Sequence, residues 1–523
     1  MKRAILSVIF FSGIFSQDQI VIPFDWSGQN GILIHEGVLF SNQPWASGIL
    51  TFDGTYSAFP LRYGGHTAKK VQMSEIGILP SFSALPDSNL TTSFFDYYRG
   101  DYGLDKLDIG VEYQSKNQII KISGFKRTSF GNFAHYIHPV RNRGPLHHSY
   151  RIDYSTKKSK EKIEVSAARY ISSSGLPDLV QNGYENDNII NGAFRYQRQF
   201  ERWTVDTYLS QFSQNRLLIH SLYSDSSLRF INRNTIDFQL KNNTGVEIGL
   251  SQQFQQFSSK AKLRSVGWSS LYFRKFYNDF SIMAGVQFSE YELYQPYVFS
   301  LNYKKNTRIG DISFQATGQS HPAHPDRNIL NDNEFETRLR SAFNYHISGR
   351  KVALKSYVTM LRLSAGNFYD YNLSLAGTRL IFSFNRNWQV YSQIHAPLNS
   401  SINNLGTKID NGIQGKFQLF QNNMMINFHL WSTSYSNSKD NFTFDPFLQF
   451  AHENPDKNYN ISNHNLIHLE IESNVSGVLL HYKIYNLLNA LGARNEAVSF
   501  KPNAIFPEIG RMMQFGVTWY FDN

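Results

Sequence analysis

The sequence predicts an all-β protein: a transmembrane, antiparallel, up-and-down β-barrel of roughly 22 strands behind a short irregular N-terminal segment. Three observations predict it. Most of the chain alternates apolar and polar residues with a period of two, the side-chain period of a strand. Tight polar turns recur between these segments and alternate with longer connections. Aromatics are abundant, with 42 Phe and 30 Tyr, yet the mean hydropathy is negative at −0.39. A wall that is apolar outside and wet inside has this composition.

The elements follow in chain order. Lys2 and Arg3 precede an apolar run over residues 4–15, and polar residues follow at once. That is the pattern of a secretory signal peptide over residues 1–16, cleaved near Ser16, and the run is too short to span a bilayer comfortably. No later stretch approaches the ~20 apolar residues of a spanning helix. The chain has no cysteine, so an exported form must gain stability from packing or sheet closure and not from disulfides. Residues 17–87 differ from everything after them: Gly28, Gly31, Gly37, Gly48, Gly54, Gly64 and Gly65, with several prolines, interrupt any alternation. They read as a reduced plug or a periplasmic extension. Residues 90–98 (LTTSFFDYY) then read as the first wall strand, which places the barrel at residues 88–523.

Within the barrel, Leu107, Ile109, Val111 and Tyr113 alternate with Asp108, Gly110 and Glu112. Val246, Ile248 and Leu250 alternate with Glu247, Gly249 and Ser251, and Ile467, Leu469 and Ile471 with His468, Glu470 and Glu472. A charge at every second place is costly in a dry core and expected on a face that lines water. Short polar turns fall at residues 115–117, 157–160, 200–201, 241–244, 276–279, 304–307, 347–350, 385–387, 421–423 and 474–476. Ten turns on the periplasmic side, with longer loops outside, imply roughly 22 strands. The last segment is the clearest. Met513, Phe515, Val517, Trp519 and Phe521 share one face, and Gln514, Gly516, Thr518 and Tyr520 the other. This is the closing strand, its aromatic face turned to lipid.

Candidate chemistry is sparse. His135, His138, His147 and His148 fall in one long loop, and His321 and His324 in another. Imidazoles bind zinc, copper or nickel, but without a cysteine or a close acidic partner these read first as solvated loop residues. No metal and no cofactor is assigned. Lys351, Lys355, Arg338, Arg340, Arg379, Lys416 and Lys483 would face water inside the barrel, with Glu247, Glu470 and Glu472 as counter-charges. They would hydrate the lumen, pair with a plug, or sort ions by sign. Tyr113, Tyr170, Trp203, Tyr303, Trp388, Trp431 and Trp519 are placed in interfacial girdles. The net charge of +10 comes without any long basic run, which argues against nucleic-acid binding. The sequence has no Gly-x-Ser-x-Gly elbow, phosphate loop, dinucleotide fingerprint or metalloprotease helix motif, so it reads as no enzyme.

The C-terminal end carries a family resemblance. Asn486-Leu487 at the end of the penultimate strand, then Pro507, Gly510 and Arg511 leading into the aromatic last strand, resemble the C-terminus of TonB-dependent receptors. The motifs cover roughly the last 45 residues, and the strand number agrees with the size class of that family. The resemblance implies a solute transporter of the outer membrane of a Gram-negative-type bacterium. Its partners would be outer-membrane lipid, the barrel-assembly machinery that reads Pro507, Gly510, Arg511, Phe515, Val517, Trp519 and Phe521 as a closure signal, and a small-molecule ligand. Asp18, Gln19, Ile20, Val21 and Ile22 are similar to the short box through which such receptors engage TonB. Two features depart from the family: residues 17–87 are smaller than the usual plug, and Asp522 and Asn523 follow the final aromatic. Three readings stay open: a TonB-linked transporter with a reduced plug, a passive porin-like channel, and a surface receptor or envelope-complex barrel sealed by a partner.

Overall fold

The computed structural model describes residues 89–130, 137–175, 183–219, 227–259, 263–291, 293, 296–322, 335–365, 369–400, 407–421, 423–436, 464–490 and 510–522. It also describes five short strands before residue 89 and four within residues 437–463. The signal peptide expected over residues 1–16 and the residues Asp18, Gln19, Ile20 and Val21 lie outside the described residues.

Twenty-two antiparallel strands form a closed barrel, each paired with its neighbour in sequence. The wall opens with Leu90–Gly100, two residues longer than the sequence suggests, and ends with Met512–Asp522, which pairs back onto Leu90–Gly100. Closure leaves no edge strand, so every wall strand finds ladder partners on both sides. Wall strands run from the eight residues of Val478–Tyr485 to the seventeen of Trp203–Ile219. About 9–11 tilted residues suffice to cross a bilayer. No helix among the described residues is long and apolar enough to do so.

The ten tight turns stand near the expected positions, two of them displaced for local reasons. Tyr297–Thr307 runs to the end of the expected turn, so the reversal falls at residues 308–309. There the Thr307 hydroxyl donates to the Gly310 carbonyl at 2.6 Å and accepts from the Ile309 amide at 3.3 Å. The reversal expected at 474–476 is a two-residue turn at Ser476 and Gly477, both at positive φ (51° and 90°). Two left-handed residues match the twist of flanking strands, and glycine tolerates that region best.

Pleating sorts the side chains as predicted. In the closing strand Phe515, Trp519 and Phe521 are 60%, 45% and 43% exposed, whereas Gln514 and Thr518 are buried. Two aromatics break the expectation. Tyr170 lies opposite Ser149 and Ile189 on the inner face, where it packs in a cluster with Ile189 and Phe212. Trp431 lies opposite Gly412 and His468, also facing inward. An aromatic ring fits a lipid interface and a packed lumen equally well, so alternation and not residue type decides its face.

At the seam, Tyr98, Gly516 and His481 stand in one register across three strands. A Cβ on Gly516 would lie 2.4 Å from the Tyr98 ring. Gly516→Ala therefore has to displace that ring, and it should lower stability by about 1–3 kcal/mol, read as a reduced urea midpoint of unfolding.

A candidate lumenal site

The inner face carries an apolar patch toward the loop end and ionic groups at both ends. On the loop side Val266, Trp268 and Phe335 form a buried cluster. Tyr291 and Leu293, from the connection after Phe280–Ser289, fold back onto it, and the Tyr291 hydroxyl donates to the Ser265 carbonyl at 3.3 Å. Leu361, Leu373 and Leu375 continue the inward apolar lining and are 2%, 0% and 0% exposed. Apolar side chains pointing into a barrel escape water only when something covers them.

Charged groups also line the inner face, the first of them toward the loop end. Arg216 bonds Glu185 through Nη2 at 2.9 Å and stands 3.7 Å from Asp187, all three buried. Gln214 adds a donor to Asp187 at 2.8 Å. Arg195 joins Asp206 and lies 3.6 Å from buried Glu164, to which Lys162 also pairs. Lys483 bonds Glu470 at 2.7 Å and stands 5.3 Å from the centre of the Tyr98 ring. Paired and hydrogen-bonded, these charges can occupy a partly dry lumen.

A second arc carries rings. Tyr357 reaches over Gly377 to hydrogen-bond His395, and Tyr391 passes over Gly412 to meet His429 at 2.9 Å. His429 stacks on Trp431 at 4.3 Å, Trp431 lies 5.0 Å from His468, and His468 lies 5.5 Å from Tyr485. His481 accepts or donates to Thr518 at 2.9 Å, according to its tautomer. Glycines give the tyrosine rings room to lie flat against the wall, so aromatic groups line the lumen without narrowing it. His468 shares the polar face read from the sequence with Glu470 and Glu472. His395, His429 and His481 lie on other strands and were not singled out; the period of two along those strands is the signal that could have found them.

The expected site residues divide. Lys355, Arg338, Arg340, Arg379, Lys416 and Lys483 face inward, as do Glu247, Glu470 and Glu472. Lys351 lies in a turn and not on the wall. Of the loop histidines, His135 and His324 lie outside the described residues. His147 and His148 lie in the wall strand Leu146–Lys158 and His321 in Gly310–Pro322, not in loops; His147 points inward, to the Tyr170 and Ser172 hydroxyls at 3.1 and 2.8 Å, while His148 faces outward. His138 is folded into its own loop, its Nδ1 accepting from the Val140 and Arg141 amides, both at 3.3 Å. Burial, and then the Arg141 charge, lower its pKa, which keeps it neutral for that role. Among the described residues no group of three or more His, Cys, Asp or Glu could hold a metal ion.

The C-terminal motif has a local geometry. Asn486 ends Val478–Tyr485 with φ at 55°, a region asparagine tolerates, and the chain leaves the wall there. Arg511 stands 3.6 Å from Asp101, and its carbonyl accepts from the Tyr102 hydroxyl at 2.6 Å. Burial, and then Asp101, raise the pKa of that hydroxyl and keep it a donor. The Met513 amide donates to Asp101 at 2.9 Å. The first hairpin connection thus clips the entry of the last strand. Pro507 lies outside the described residues, and Ile22 forms part of the short strand Ile22–Pro23.

No known protein family and no curated protein matches the sequence. Solved structures do match the fold. The copper transporter OprC superposes with a TM-score of 0.61 at 10% identity, covering 85% of this chain and 82% of that one. The FrpB iron transporter from Neisseria meningitidis gives 0.59 at 10% identity, covering 85% and 84%. The siderophore receptor PirA from Acinetobacter baumannii gives 0.59 at 6% identity, covering 85% and 82%. The chain has the barrel fold of the TonB-dependent receptors, the fold expected from its last strands.

Proposed function

We propose that this chain is an outer-membrane transport protein, not an enzyme, which moves a small solute through its lumen with residues 17–87 held there as a reduced plug. The observation that carries the reading is an N-terminal strand beside the wall. Val38–Ser41 lies alongside Phe335–Ser348 and Val352–Ala365, whose inward residues Ala342 and Leu361 are buried. Charge supports it as well. Residues 17–87 carry Asp18, Asp25, Glu36, Asp53, Glu75 and Asp87 against Arg62, Lys69 and Lys70, whereas the whole chain is at +10. An acidic insert suits a basic barrel. The copper transporter, the iron transporter and the siderophore receptor that share the fold favour a scarce nutrient as cargo.

Energy would arrive through TonB at Asp18, Gln19, Ile20, Val21 and Ile22, entering by strand addition, in which backbone pairing supplies the affinity. The closing residues Phe515, Val517, Trp519 and Phe521 would be presented to the assembly machinery before the seam zips. Binding of the purified TonB C-terminal domain to the full mature chain tests the energised form. Capture is expected, and Val21→Pro, which removes a backbone donor, should weaken it at least tenfold. A mature chain that never captures the domain would move the reading to a passive channel.

A further inference from the structure

Two cations on the inner wall have no carboxylate partner among the described residues. Lys355 and Arg379 are directly opposite each other in the register of Val352–Ala365 and Tyr369–Ser383. Like charges at directly opposed positions destabilise a strand pair. Lys355 is exposed and has no hydrogen bond or ion pair among the described residues. The Nε of Arg379 is buried with no hydrogen-bond partner, while its guanidinium lies 5.0 Å from the centre of the Tyr391 ring. A buried donor left unbonded is costly and calls for an explanation.

The neighbouring strands do not supply one. Gln393, opposite Arg379, directs its amide to His395. Asp410, opposite Gln393, is engaged by Lys408 at 3.4 Å and by the Thr433 hydroxyl at 2.6 Å. On the other flank His346 faces Lys355, and Asp311 stands 3.7 Å from that histidine. Each nearby carboxylate already has a partner of its own.

We infer that Lys355 and Arg379 form an anion site on the lumen wall that takes a carboxylate or phosphate group of a small solute. The guanidinium offers a planar fork to two oxygens, the ammonium a point charge, and the Tyr391 ring a side wall. The pair lies near the turn end, beyond the apolar lining, where a solute descending the lumen would leave it. The inference rests on the lumen being a solute path, and names the class of solute as anionic.

Calorimetric titration of the full mature chain in detergent, with citrate and with inorganic phosphate as probes, tests it. Binding that weakens as salt rises is expected. Lys355→Gln with Arg379→Gln should weaken it at least tenfold, and Lys351→Gln, in the neighbouring turn, should change it less than twofold. If the double variant does not fold, by loss of its heat-modifiable band, Lys355→Gln alone should weaken binding at least threefold, since that exposed side chain packs nothing. Absence of binding by both probes, or equal binding by the variants, overturns the site. Equilibrium binding needs no transport, so a bound anion in cells that take up none would contradict the transport reading and leave the site standing.

Discussion

Val517→Arg should lower the stability of the barrel by about 2–4 kcal/mol, the cost of a guanidinium on a lipid face near the bilayer midplane. Val517 is the central residue of Met512–Asp522 and shares the outward face of Phe515 and Trp519, which are 60% and 45% exposed. Were that exposure to water, the same change would stay within about 0.5 kcal/mol, as surface substitutions do. The size of the effect therefore reports the solvent. Thr235, half-buried on the inner face between Ser210 and Gln253, is the control. Arginine there can reach lumenal water and should cost no more than about 1 kcal/mol. Urea titration of the protein folded into phospholipid vesicles reads both.

Arg216→Met should cost about 3–5 kcal/mol, because removing one member of a buried ionic group strands the others. Arg216 holds Glu185 at 2.9 Å and Asp187 at 3.7 Å, and neither carboxylate has water to fall back on. Methionine keeps the volume, so the loss is electrostatic and not a cavity. Replacing Glu185 and Asp187 by Gln and Asn in the same chain should recover much of it. Arg202→Gln in an exposed turn should leave stability within about 0.5 kcal/mol. If Arg216→Met were equally silent, the ionic lining would be hydrated and the lumen wet throughout.

Much of the wall was legible because a barrel strand meets only two media. Leu107, Ile109 and Val111 against Asp108, Gly110 and Glu112 can be sorted by polarity alone, and turn spacing then counts the strands. Polarity fails where both faces accept the same side chain. Tyr170 and Trp431 read as girdle residues and line the lumen instead. The ring-lined arc was illegible for another reason. Tyr357, Gly377 and His395 belong to three strands, and only the register brings them into one row. Residues 17–87 offered neither period nor pattern, so composition marked their boundary and left their arrangement unread. Among the candidate sites, the inward cations Lys355 and Arg379 followed from alternation, whereas their direct opposition needed the pairing.

Single-channel conductance of the refolded mature protein in a planar bilayer, measured beside a chain lacking residues 17–86, reports whether the lumen is plugged. A closed bilayer is expected from intact, heat-modifiable protein and a large conductance from the shortened chain, favouring anions as Lys355 and Arg379 would dictate. A large, steady conductance from the intact protein would contradict the plugged lumen and make the barrel an open diffusion pore.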